Sequence, residues 1–119
     1  MNTKLLGSYG ERIAQAYLTK NKYTVIGMNY KTRFGEIDLI AKDKKYVIFV
    51  EVKLRKNGNF ARAMEYVGEQ KRQRLRTTAE IWLSQNATGL QPRFDVIEIY
   101  APEGTATEKP EIHHIKNAF

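Results

Sequence analysis

Residues 35–53 read GEIDLIAKDKKYVIFVEVK, from Gly35 to Lys53. The stretch holds two apolar-alternating segments joined by a charged turn, Lys42 to Lys45. Each has the length and the β-branched content of a strand, so the pair predicts a hairpin of Gly35 to Ala41 and Tyr46 to Lys53. Strand side chains alternate with period 2, so Glu51 and Lys53 share a face with Val47 and Phe49, while Ile48, Val50 and Val52 take the other. A segment this apolar is expected to be buried on both sides. A carboxylate and an ammonium at its end are then costly unless they are paired or bind something. Asp38, in the middle of the first segment with twelve residues between it and Glu51, adds a third ionisable group.

Working outward from the hairpin, Ser8-Tyr9-Gly10-Glu11 has the form of a capping box. Ile13, Ala14, Tyr17 and Leu18 recur at helical spacing behind it, which predicts a helix from Ser8 to Lys20. Tyr23 to Tyr30 is rich in β-formers and predicts a strand, although Gly27 weakens it. After the hairpin, Leu54 to Phe60 reads as a loop around Asn57-Gly58-Asn59, and Ala61 to Val67 as a short helical turn. A second long helix is expected over Glu69 to Gln85, with the apolar stripe Leu75, Ala79, Trp82 and Leu83. Arg93 to Tyr100 forms a fourth strand, in which Arg93 and Asp95 share a face and pair to buttress the sheet. A polar loop and a last short strand at Ile112 to Ile115 end the chain. The order αβββαβ predicts an α/β fold, a mixed sheet flanked by helices. No linker or repeat divides the 119 residues, so residues 1–119 read as a single domain.

With 42% hydrophobic and 28% charged residues, the chain reads as a soluble globular protein. It has no cysteine, which excludes disulfides and thiolate metal sites. His113 and His114 are adjacent, a poor arrangement for zinc, and read as ordinary surface and edge residues. There is no apolar leader and no run long enough to span a bilayer, so a cytoplasmic location without a membrane partner is expected. The net charge of +7 favours a polyanion, most simply nucleic acid. The excess is uneven. Lys53 to Arg76 holds eight bases against two acids, a net +6. Arg55, Lys56, Lys71, Arg72 and Arg74 are the candidate nucleic-acid contacts, and Lys71 has the additional advantage of a helix N-terminus. The competing account of this run is a solvated helix face.

Asp38, Glu51 and Lys53 are the candidate catalytic residues. Two carboxylates and the main-chain carbonyl of Val52 are oxygen ligands suited to Mg²⁺ or Mn²⁺, with substrate phosphate oxygens and waters completing the shell. Such a cation polarises a phosphate and acidifies a bound water. Lys53 then orients that water and offsets charge on the phosphoryl oxygens. The competing account is a salt bridge from Lys53 to Glu51 or Asp38. The capping box fully accounts for Glu11, which also offers a further carboxylate to the metal shell, directly or through water. Glu36 shares the face of Asp38 by alternation and competes as a ligand, although its place near the strand start favours solvent. Trp82 reads as core.

GEIDLI followed by FVEVK closely resembles the active-site strands of nucleases with the PD-(D/E)xK motif. More narrowly, the chain resembles the YraN family of predicted endonucleases, related to archaeal Holliday-junction resolvases. The likeness runs through GERIAQAYL, GEIDLI, FVEVKLR, KRQRL, RFDV and HIKNAF, nearly the whole chain. It implies a restriction-endonuclease-like fold, with Asp38, Glu51 and Lys53 in the motif's positions and Glu11 matching the helix carboxylate of the resolvases. Two positions depart from the pattern. Ile37 stands in place of the motif's leading proline, and Ala61 follows Phe60 where many relatives carry glycine.

These features lead to two expectations. The first is a metal-dependent endonuclease acting on DNA rather than RNA, with branched or irregular structures among its substrates; symmetric cutting would imply a twofold homodimer. The second is a nucleic-acid-binding module without catalysis, using the same basic surface. A purely structural protein is the weakest expectation, because it leaves the buried charges unexplained.

Overall fold

The computed structural model describes residues 3–56 and 68–119. The expected turn at Ala61 to Val67, the Asn57-Gly58-Asn59 loop and the Phe60-Ala61 departure lie outside the described residues. In chain order the elements are α1 (Thr3–Lys20), β1 (Thr24–Thr32), β2 (Gly35–Lys42), β3 (Tyr46–Arg55), α2 (Glu69–Gln85), β4 (Gln91–Tyr100), a 3₁₀ turn (Gly104–Ala106) and β5 (Glu111–Ile115). The five strands form one sheet in sequence order, antiparallel except for the parallel β3–β4 pair. Helix α2 is the crossover that a parallel pair requires.

The two helices cover opposite faces. Ala14 and Leu18 of α1 pack on Leu39, Ala41, Ile48, Val50, Ile97 and Ile99. Leu75, Ala79 and Trp82 of α2 pack on Ile37, Ile40, Val47, Phe49 and Val96. β3 is therefore buried on both faces, and its alternation is the expected one. Trp82 is core and meets Phe49 edge-on, with ring centroids 5.7 Å apart. In the β2–β3 turn, Asp43 Oδ1 accepts the N–H groups of Lys45 and Tyr46 at 2.8 and 2.7 Å. This side-chain mimic of a backbone turn sets the hairpin register.

Three expectations are corrected. Helix α1 begins at Thr3, so Ser8 and Glu11 lie inside it and form no capping box. Gly7 and Gly10 argue locally against helix. At Gly10, however, the helix lies close over β3, where an added Cβ would stand 3.6 Å from Val52 Cγ1. Second, β3 continues through Leu54 and Arg55, where the sequence predicts a loop. The long parallel ladder extends that far, pairing Arg55 with Tyr100. Third, His114 is not an ordinary edge residue. Its side chain is 4% exposed, and Nε2 lies 2.6 Å from Asp95 Oδ2.

That contact belongs to a buried network on the α1 face. Arg93 donates to both oxygens of Asp95 at 2.9 and 2.8 Å, the expected pair. Asn117 N–H donates to Asp95 Oδ1 at 3.0 Å, and Tyr17 OH meets His114 Nδ1 at 3.1 Å. The Asp95 side chain is wholly buried. Burial alone would raise its carboxyl, but His114, Arg93 and the Asn117 N–H outweigh it and hold Asp95 below the usual carboxylate range. The closing HIKNAF segment is thereby structural: Ala118 N–H also donates to Phe94 O at 2.6 Å, and Phe119 packs on Phe94.

Candidate active site

Regular alternation fails at Asp38. Ile40 and Ile37 pack on the α2 face, whereas Leu39 and Ala41 pack on the α1 face. Ile37 and Leu39, two residues apart, therefore face opposite ways. The β2–β3 ladder runs from Lys42↔Val47 to Leu39↔Val50 and ends there. Continued, it would set Ile37 against Val52. Instead the Asp38 carboxylate accepts the Val52 N–H through Oδ2 at 2.8 Å. A side chain has taken the place of a ladder carbonyl, and β2 parts from β3 at that point. Across the hairpin, Asn29 lies between the pairs Met28↔Leu39 and Tyr30↔Ile37 and has φ +50°. Asparagine tolerates this left-handed conformation better than most residues.

The outer half of the β1–β2 hairpin leans on α2. Tyr30 OH donates to Gln85 Oε1 at 3.2 Å, and Thr32 Oγ1 lies 3.2 Å from Thr78 Oγ1. Gly35 permits the approach, since a Cβ there would stand 3.4 Å from Thr78 Oγ1 and 3.7 Å from the Arg74 carbonyl. Docking of the hairpin tip on α2 thus accompanies the opening between β2 and β3.

Glu51, on β3, is 8% exposed and faces the α2 side. Its Oε1 takes the ammonium of Lys71 at 2.8 Å and that of Lys53 at 3.3 Å. Lys71 comes from the first turn of α2. Desolvation leads in lowering the Lys53 pKa, with the adjacent Lys71 ammonium also lowering it. Lys71 is raised: desolvation opposes this, but the bond to Glu51 and the nearby carboxylates, Asp38 among them, prevail. Asp38 is pushed up to about 7, first by burial and then by the charge of Glu51, with Glu11 and Glu36 adding to it and the Val52 N–H opposing. Asp38 thus feels the charge of Glu51, although the hollow it lines lies toward α1 and Glu51 faces α2.

Glu11, now on the body of α1, shares a small hollow of about 110 Å³ with Gly10, Asp38, Val52 and Leu54. In a strand the N–H and C=O of one residue point the same way, so the Val52 carbonyl is directed into the same opening as its N–H. Glu36 is partly buried rather than solvated. Among the described residues, no group of three or more His, Asp or Glu side chains stands close enough together to cage a metal ion. Asp38 and Glu51 are the two carboxylates that could share one.

The basic residues differ in exposure and partners. Lys71 is held on Glu51. Arg74 and Lys56 are exposed. Arg72 lies over the Phe119 ring, 5.9 Å from its centroid. Arg55 is partly buried, and its charge acts on Glu98 of β4. Glu98 was not anticipated from sequence. It is 1% exposed, and burial raises its pKa. Its pairing with Lys53 across the parallel ladder sets it beside the site. The signal available was its alternation with Phe94 and Val96 on the α2 face.

Residues 10–99 match the profile of a family described as Uncharacterised protein family UPF0102. The chain is similar to a UPF0102 protein of Caldanaerobacter subterraneus, 45% identical across the whole of this chain and 98% of that one. The chain belongs to the UPF0102 family, also called the YraN family. A UPF0102 protein of Acetivibrio thermocellus is 40% identical over 99% of this chain and 93% of its own, and one of Aliivibrio fischeri is 39% identical over 99% and 94%. The matched span of this UPF0102 chain includes Glu11, Asp38, Glu51, Lys53 and Lys71. Among its described residues no helix is long and apolar enough to cross a membrane.

Proposed function

We propose that this UPF0102 chain is a metal-dependent endonuclease that hydrolyses phosphodiester bonds in DNA. The observation that carries the proposal is the parting of β2 from β3 at Asp38, where the Asp38 carboxylate takes the N–H of Val52, the residue between Glu51 and Lys53, and feels the charge of Glu51. The α1-β1-β2-β3-α2-β4 order, with β5 added at the sheet edge, and the mixed sheet agree with a restriction-endonuclease-like core, and we read the fold as one.

The donor set suits a hard divalent cation. Asp38 and Glu51 offer carboxylate oxygens and Val52 a carbonyl. Mg²⁺ keeps most of its shell as water and phosphate oxygens, so one or two carboxylates suffice. The ammonium of Lys71 already occupies a place favoured by Glu51 and Asp38, which marks the opening as attractive to positive charge. When bound, Mg²⁺ or Mn²⁺ supplies Lewis-acid polarisation and lowers the pKa of a water. The chain does the rest. The Val52 N–H fixes the Asp38 carboxylate. Lys53, with a lowered pKa and a contact to Glu51, orients the attacking water and offsets charge growing on the phosphoryl oxygens. Exposed Arg74 and Lys56 hold the DNA backbone. In-line attack leaves a 5′-phosphate, as the resemblance to the wider superfamily implies.

A second reading, a nucleic-acid-binding module without catalysis, is favoured by one observation: two lysines already neutralise Glu51. Salt dependence does not separate the two, since both use phosphate contacts. Incubation with labelled duplex, single-stranded, flapped and four-way DNA, with and without Mn²⁺, does. Metal-dependent cleavage, strongest on branched DNA, is expected. Binding without cleavage on every substrate would leave the module reading in its place.

A further inference from the structure

We infer that Lys71 is a built-in counter-ion for Glu51, which an incoming divalent cation displaces and which then serves as a contact for the polyanion. The inference rests on the metal reading above and gives that site a coupling device.

Lys53 and Lys71 converge on one oxygen of Glu51, and the shorter contact is made by Lys71, at 2.8 Å against 3.3 Å. The two ammoniums are not equivalent. Lys53 rises from the middle of the sheet and its side chain is 16% exposed, whereas that of Lys71 is 41% exposed. Lys71 reaches inward from the first turn of α2 on a flexible four-carbon stem. It alone can leave Glu51 for solvent without unpacking the sheet. Asp38 also acts on the Lys71 ammonium, so this one cation answers to both carboxylates of the opening. A divalent ion binding the same pair would meet the ammonium as a like charge and would compete with it for Glu51.

Two consequences follow. Without nucleic acid, Lys71 weakens metal binding, because its ion pair must be broken first. With nucleic acid present, a phosphate takes the released ammonium at the helix N-terminus, so each ligand raises the affinity for the other. Such coupling is reciprocal by thermodynamic necessity. Lys71 in these terms couples the binding of the metal to that of the nucleic acid.

The test is calorimetric titration of Mn²⁺ into the full chain without nucleic acid, comparing wild type with Lys71→Met, Lys71→Gln and Lys71→Arg. The two neutral variants are expected to bind Mn²⁺ about tenfold more tightly. The arginine variant, which keeps the cation, is expected to remain close to wild type. A single-stranded oligonucleotide should then tighten Mn²⁺ binding in wild type and fail to do so in the neutral variants. Wild-type binding with unchanged or weaker affinity in both neutral variants overturns this inference and leaves the metal reading standing. No Mn²⁺ bound by wild type, with or without oligonucleotide, overturns both.

Discussion

Asp38 and Val52 are joined by a 2.8 Å hydrogen bond from main chain to carboxylate, at the point where the β2–β3 ladder would otherwise continue. The bond explains three things together. It satisfies a partly buried N–H in the opening, it fixes the carboxylate, and it brings Asp38 within the field of Glu51. The catalytic proposal depends on that arrangement.

The first prediction concerns pH. The Asp38 carboxyl is raised to about 7 in the metal-free fold, against about 3.9 in an unfolded chain. Between these values the folded state binds the extra proton, so its stability is full below about pH 4 and is lost as pH rises through about 7. Asp38→Asn removes the charge and keeps an acceptor for Val52. In urea unfolding at pH 8 the Asn variant should be more stable than wild type by an amount on the order of a few kcal/mol, and near parity at low pH. Identical pH profiles would show that Asp38 does not carry this penalty.

The Asp95 network should behave with the opposite sign. Its carboxyl is held below the ordinary value, so its stabilisation is present above about pH 4 and is lost as pH falls through the lower folded value. Arg93→Met strands a buried carboxylate and should cost about 3–5 kcal/mol at pH 7, read by chemical denaturation. A cost below about 1 kcal/mol would mean that His114 and Asn117 suffice without Arg93.

Trp82 anchors α2 on the sheet through Phe49. Trp82→Ala should destabilise by about 3–5 kcal/mol. Since α2 carries Lys71, the contact to Glu51 should loosen with it, visible as a changed Lys71 side-chain amine signal in NMR. A stable variant with that signal unmoved would detach the helix core from the site.

Arg74 is exposed on α2 and contacts phosphate in this account. Arg74→Ala should weaken DNA binding about equally across sequences and reduce the slope of log affinity against log salt by about 1. An unchanged slope would remove Arg74 from the interface.

Much of this architecture is written locally in the chain. Val47, Phe49 and Glu51 alternate with Ile48 and Val50, and that period alone gives β3 its two buried faces. The α2 stripe of Leu75, Ala79 and Trp82 gives the helix and its bounds. The opening at Asp38 was not legible, because it breaks the same period. It goes with long-range contacts of Tyr30 and Thr32 with α2, which no local pattern encodes. Asn29, tolerant of positive φ, was a faint marker of the kink. The start of α1 is not legible because Ser8-Tyr9-Gly10-Glu11 has the form of a capping box and Gly7, just before it, argues locally against helix. His114 was missed because its partner, Asp95, lies on the neighbouring strand rather than in its own segment. The Asp38, Glu51 and Lys53 set is legible by residue type and spacing; the hold of Lys71 on Glu51 is not, since the two lie on different elements twenty positions apart and no local pattern pairs them.

The most direct measurement is Mn²⁺-dependent cleavage of labelled branched DNA by wild type, Asp38→Ala and Lys53→Ala, with DNA binding measured on the same samples. The account predicts that wild type cuts, that both variants lose cleavage, and that both keep most of their affinity for DNA. Metal-dependent cleavage that survives both substitutions would contradict it.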